Sequence, residues 1–153
     1  MERIQSFVEA GWLAEAPASD EEVIGLWSKA LGAWADAHVA ANTDEARVIR
    51  TYDAGRLAAT AAVRAHIYRV RAQNHHEMTL RTAGALGSDE LRRALNEFDR
   101  VRRLRSEAEY GWEPAAESPL PHAIALVRRI LSLCARELAL ARPPLAERFD
   151  PPE

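Results

Sequence analysis

The chain has 153 residues, 48% of them hydrophobic and 28% charged, with a formal net charge of -3 and a single cysteine. A chain of this size can bury a sizeable core without disulfides, and one thiol cannot form an internal bridge. The slight acidic excess excludes a protein held to nucleic acid by bulk charge alone, so any such binding must be local.

Met1 to Ser6 carries no apolar stretch of the signal-peptide kind, and no run approaches the roughly 20 residues that span a bilayer. The expectation is a cytoplasmic protein with no membrane contact. Lys29 is the one lysine among 20 basic residues. The arginine excess suits bidentate phosphate contacts, and equally fits a coding bias toward Arg and Ala.

Ala, Leu, Arg and Glu dominate, and no segment shows sustained period-two alternation, so the chain reads as helix throughout. A short helix is expected over 2–15, stopping before Pro17. Ser19 and Glu22 form a capping box that opens the second helix, with a stripe of Val23, Leu26, Trp27, Ala30, Leu31, Trp34 and His38. The third opens at Asn42 and runs to about Ala72 through Ile49, Tyr52, Leu57, Val63, Ile67 and Val70. A shorter helix begins near Asn74 and ends at Gly87.

Ser88 and Asp89 start the next helix, which Gly111 stops as a C-cap. After a linker at 111–117, Ser118 and Pro119 open the last helix, whose Leu120, Ile124, Val127, Leu131, Cys134, Leu138 and Ala141 form a packing seam. The expected fold is all-α: an antiparallel four-helix bundle over 1–142, with segments 2–15 and 75–86 as additional short helices at its ends. Residues 143–153, with four prolines, read as a tail on the surface.

Charge at one place needs a reason. In the helix starting at Asp89, Arg105 and Glu109 fall within about 20° of Phe98 on the apolar stripe, at 100° per residue. A buried charge must be paired, hydrogen-bonded or turned toward a ligand. Arg105 therefore marks a candidate site, or an ion pair with Glu109 or with Asp53 of the third helix. Of the other arginines in 92–105, Arg92, Arg93, Arg100 and Arg103 project outward at helical spacing.

Other chemistries find less support. No histidine has an acid three residues before it, which argues against a carboxylate-bridged metal site. Adjacent His75 and His76 point about 100° apart and cannot chelate one ion from one face. No metal or cofactor is expected. Cys134 lies on the seam and reads as a small core residue.

His75-His76 followed by Thr79-Leu80, then Phe98 and the motif Arg105-x-x-Ala108-Glu109-Tyr110 before a helix break, resembles the HEPN (higher eukaryotes and prokaryotes nucleotide-binding) superfamily over roughly residues 20–141. The resemblance is to small bacterial members with an Arg-x-x-Ala-acid-Tyr signature. It implies an all-helical homodimer whose arginine motif lines a cleft between protomers. Catalytic members are metal-independent ribonucleases, commonly toxins paired with a nucleotidyltransferase-like antitoxin, in which a histidine follows the arginine by four to six residues.

Here Tyr110 stands in that region, with Trp112 beyond it. A phenol of pKa about 10 exchanges protons poorly at pH 7. The resemblance thus implies a degenerate, non-catalytic module of a defence, stress or toxin–antitoxin system. It would bind RNA, a nucleotide phosphate or a protein partner through Arg105, Glu109, Tyr110, His75, His76 and Arg102. The alternatives are a weak endoribonuclease using Arg105 with Tyr110 or a nearby histidine, and a structural or protein-interaction bundle.

Overall fold

The computed structural model describes residues 2–109 and 118–152, with 104–109 as backbone alone. The chain is mostly helical. In order, the elements are α1 (Glu2–Glu9), β1 (Leu13–Glu15), α2 (Asp20–Ala37), α3 (Asp44–Ala65), β2 (Tyr68–Val70), α4 (His75–Leu86), α5 (Asp89–Glu109) and α6 (Leu120–Ala141), followed by a 3-10 turn over Pro143–Arg148.

Side-chain caps open the long helices where the sequence offers them. Ser19 Oγ accepts the Glu22 N–H at 3.1 Å, Thr43 Oγ1, one residue past the expected Asn42, the Ala46 N–H at 3.2 Å, and Ser88 Oγ the Leu91 N–H at 3.1 Å. Each satisfies one backbone donor that a first helical turn leaves open. Ser118 Oγ accepts the Leu120 N–H at 3.3 Å, so α6 begins one residue later than expected.

α3 lies at the centre of the packing and touches α2, α4 and α6, while α5 touches α4 and α6. Its buried face is mostly alanine (Ala54, Ala58, Ala59, Ala61, Ala62 and Ala65), which lets neighbouring axes come close. At Gly55 the approach is closest. A Cβ there would stand 2.9 Å from Phe98 Cε2, so the absence of a side chain lets the α5 phenyl ring settle against α3. α4 packs on both α3 and α5 rather than only at an end. Glu137 of α6, 8% exposed, accepts the Ser88 N–H at 3.1 Å and ties α6 to the start of α5.

Four expectations need correction. The first helix stops at Glu9, where Gly11 at φ 79° carries the chain into a left-handed turn with Trp12 N–H on Phe7 O and Gly11 N–H on Val8 O. The third helix stops at Ala65, not Ala72, because Ile67 takes φ 69° and turns the chain back. Leu13–Glu15 and Tyr68–Val70 then pair as an antiparallel ribbon, extended by Ala16 N–H to Ile67 O at 2.7 Å and Arg71 N–H to Trp12 O at 2.8 Å. Three-residue strands are too short to show alternation in sequence.

The third correction concerns burial. Ile49 and Ile67 stand on the exposed surface and His38 caps α2 in solvent, Ile67 because it lies in the turn beyond α3 and His38 because α2 ends at Ala37. The fourth concerns the tail. Phe149 is 4% exposed and meets Trp27 edge-to-face at 6.4 Å, so the segment after α6 folds back onto α2.

The proposed linker at 111–117 and the cap at Gly111 lie outside the described residues. Among the described residues no helix is long and apolar enough to cross a membrane.

Candidate functional site

The start of α4 stands beside the middle of α3 and the later turns of α5. This juxtaposition collects charged side chains from three elements. A cavity of about 190 Å³ is lined by Tyr52, Asp53 and Arg56 of α3, His76 and Leu80 of α4, and Phe98 and Arg102 of α5, with Ile49 at its edge. Its neighbour, about 330 Å³, is lined by Gln73, Asn74, His75, His76, Glu77 and Arg102. His76 and Arg102 belong to both, so the two hollows form one groove.

The apolar floor explains why the groove holds its shape. Tyr52 and Phe98 pack edge-on with centroids 5.4 Å apart, both within 5% exposure, on the spot that Gly55 opens. Above this floor the charges are arranged within helices. Arg102 Nη2 donates to Asp99 Oδ1 at 2.9 Å, and Arg103 Nε lies 3.3 Å from Asp99 Oδ2. On α3, Arg50 Nη1 donates to Asp53 Oδ2 at 2.9 Å, while Arg56 Nη2 lies 3.7 Å from Asp53 Oδ1.

Asp99 thus divides its oxygens between two guanidinium groups, and Asp53 does the same. Neither Arg56 nor Arg102 uses up its five donors this way. Arg102 Nε is buried and has no hydrogen-bond partner among the described residues. A buried N–H without an acceptor costs about 1–3 kcal/mol.

His76 sits on the rim. Burial, then the charges of Arg56, His75 and Arg102, hold its imidazole below the ordinary value of 6.5, with Asp53 opposing. It is therefore neutral at pH 7, able to donate one hydrogen bond and accept another or a proton. The arrangement can grip an anionic oxygen group between guanidinium groups on two helices, with an imidazole beside it.

Of the sequence-derived candidates, His75, His76 and Arg102 come together here. The side chains of Arg105 and Glu109, and all of Tyr110, lie outside the described residues. The α5 backbone at 105 and 109 continues from Arg102 by three and seven residues. Sequence reasoning missed Arg56, and it weighed Asp53 only as a partner for Arg105. The Asp53-x-x-Arg56 spacing on one helix face was the available signal.

Cys134 is fully buried, and burial pushes its thiol up to about 12, which leaves it an inert core group. Among the described residues no three His, Cys, Asp or Glu side chains gather to hold a metal ion. Comparison of the chain with protein-family models, with curated proteins and with solved structures finds no match in any of the three.

Proposed function

We propose that this chain is a HEPN-type antiparallel four-helix bundle that binds the phosphate of RNA or of a nucleotide without cleaving it. The ligand lies in the groove between α3, α4 and α5, and Arg105, Glu109 and Tyr110 are the further binding residues that the motif implies. The protein works in the cytoplasm as a homodimer and, in a defence or toxin–antitoxin setting, beside a nucleotidyltransferase-like partner. The observation that carries the reading is a cavity lined together by Arg56, His76 and Arg102, whose Nε has no acceptor among the described residues.

Phosphate suits this site because a guanidinium fork matches its oxygens, and because two forks on separate helices hold it in one orientation. Fluorescence anisotropy of a labelled single-stranded RNA, titrated over a range of salt, tests the proposal. Binding weakens as salt rises, and Arg102→Ala, Arg56→Ala and Arg105→Ala each reduce affinity by about fivefold or more. Affinity unchanged in all three folded variants refutes the reading.

One observation favours a second reading, a metal-independent endoribonuclease. His76 is held neutral beside guanidinium groups, the state a general base needs, and would supply the imidazole that the motif lacks at position 110. In that case RNA is cleaved in EDTA, and the cleavage disappears in both His76→Ala and Arg105→Ala.

A further inference from the structure

On the opposite side of the α4 start lies a second hollow of about 280 Å³. It is walled by Leu26 of α2, Thr60 and Val63 of α3, Val70 of β2 and Thr79 of α4, with Glu22, Arg64, Arg69 and His75 supplying the charged and polar groups. His75 lines this hollow and the groove's outer part, whereas His76 serves the groove alone. His75 therefore stands between the two places, and His76 belongs to the groove.

Arg64 is the unusual group. Its side chain is 7% exposed, its Nε donates to Glu22 Oε2 at 2.6 Å, and its Nη1 donates to the carbonyls of Ala16 at 2.6 Å and Tyr68 at 3.1 Å. Nη2 has no acceptor among the described residues, and Arg64 is one of the residues that line the cavity. Thr60 and Thr79 spend their hydroxyl protons on the carbonyls of Arg56 and His75, at 2.9 and 2.8 Å. Neither hydroxyl can donate to a ligand, which leaves Arg64 and the exposed Arg69 as the charged donors.

Two guanidinium groups stand against the single carboxylate of Glu22, which is already tied to Arg64. The hollow thus keeps one positive charge in surplus, beside aliphatic walls of Leu26, Val63 and Val70. We infer that it is a binding site for a small monocarboxylate with an aliphatic chain, its carboxylate taken by Arg64 Nη2 and Arg69 and its chain laid on the apolar wall. The volume admits a chain of several carbons and excludes a nucleotide or a lipid of full length. The site shares His75 with the outer part of the phosphate groove but none of its arginines.

Hexanoate is the probe, titrated into the full chain and followed by amide chemical shifts, with hexanol, acetate and norleucine as comparisons. Hexanoate gives saturable shifts at residues of α2, β2 and the start of α4. Hexanol and acetate bind at least about tenfold more weakly, since each lacks half of what the site recognises. Arg69→Ala, at an exposed position of β2, weakens hexanoate by about tenfold without changing the melting temperature. Leu26→Trp fills the hollow and abolishes binding.

Arg102→Ala leaves hexanoate binding unchanged whatever it does to RNA, so failure here is distinguishable from failure at the groove. Hexanol or acetate matching hexanoate overturns the inference. So does tighter binding of norleucine, which would assign the site to an ammonium group, and so does wild-type affinity in Arg69→Ala.

Discussion

At the ribbon end of the molecule, Arg64 and Arg142 spend most of their donors on other segments. Arg64 reaches Glu22 of α2 and the carbonyls of Ala16 and Tyr68, while Arg142 reaches the carbonyls of Ala65 and Ala18 and the carboxylate of Asp20. In the groove, Arg56 and Arg102 meet carboxylates of their own helices, three residues away. The contrast separates two uses of one side chain. A guanidinium that satisfies carbonyls across elements holds the fold and keeps at most one nitrogen over, as Arg64 keeps Nη2, whereas one that pairs within its helix keeps most of its donors for something else.

The largest test of this contrast is Arg64→Ala. It removes hydrogen bonds joining α2, α3 and the ribbon, and leaves the Ala16 and Tyr68 carbonyls without their donor, so unfolding free energy falls by about 3 kcal/mol. Urea denaturation measures it, and a loss below about 1 kcal/mol would remove Arg64 from the structural class. Arg64→Lys recovers only part of the loss, because an ammonium group cannot reproduce the fork.

Arg142→Ala comes next. The side chain is 17% exposed, and its bonds fasten the end of α6 to the end of α3 and the entry to α2, which supports a loss of about 1–2 kcal/mol. Phe149 follows Arg142 by seven residues and packs on Trp27, so the same substitution should loosen the tail. Tryptic cleavage after Arg148, inside the tail, is the direct measurement. Unchanged stability and unchanged cleavage would show that Phe149 alone holds the segment.

Arg102→Ala should behave in the opposite way. Asp99 keeps Arg103, and a buried donor with no acceptor among the described residues is removed, so stability shifts by less than about 1 kcal/mol while anion binding suffers. A large loss of stability together with unaltered binding would place Arg102 among the structural arginines and erase the contrast.

The helices were legible because their signals are local. Ser19, Ser88 and Ser118 announce starts within three residues, and the long apolar stripes of α2 and α6 need no partner to be seen. The ribbon was hidden because it depends on Leu13 meeting Val70, a pairing between distant segments, and on positive φ at Ile67, a β-branched residue that carries no turn signal of its own. Arg102 and the two histidines were visible as polar residues near a motif. Arg56 was not, because only the close approach of Phe98 to Gly55 brings α3 and α5 together there.

The finest test uses two histidines that share a direction and differ in surroundings. Burial holds His66, at the end of α3, below the ordinary 6.5, with Glu137 opposing and Arg142 adding to the shift; His76 is lowered by burial and by Arg56, His75 and Arg102. A histidine kept neutral by the fold contributes its full share of stability above the unfolded value of about 6.5, and loses it as pH falls toward the lower folded midpoint. His66→Gln should therefore flatten the decline of stability on the acid side of that window.

Adding inorganic phosphate should separate the pair. A dianion gripped by Arg56 and Arg102 offsets the charges that depress His76 and favours its protonated form, so the His76 midpoint rises with phosphate in a proton NMR titration. His66, walled by Glu137 and Arg142 at the ribbon end, keeps its midpoint. Equal movement of both resonances would mean that phosphate acts through ionic strength, and the groove would then hold no bound anion.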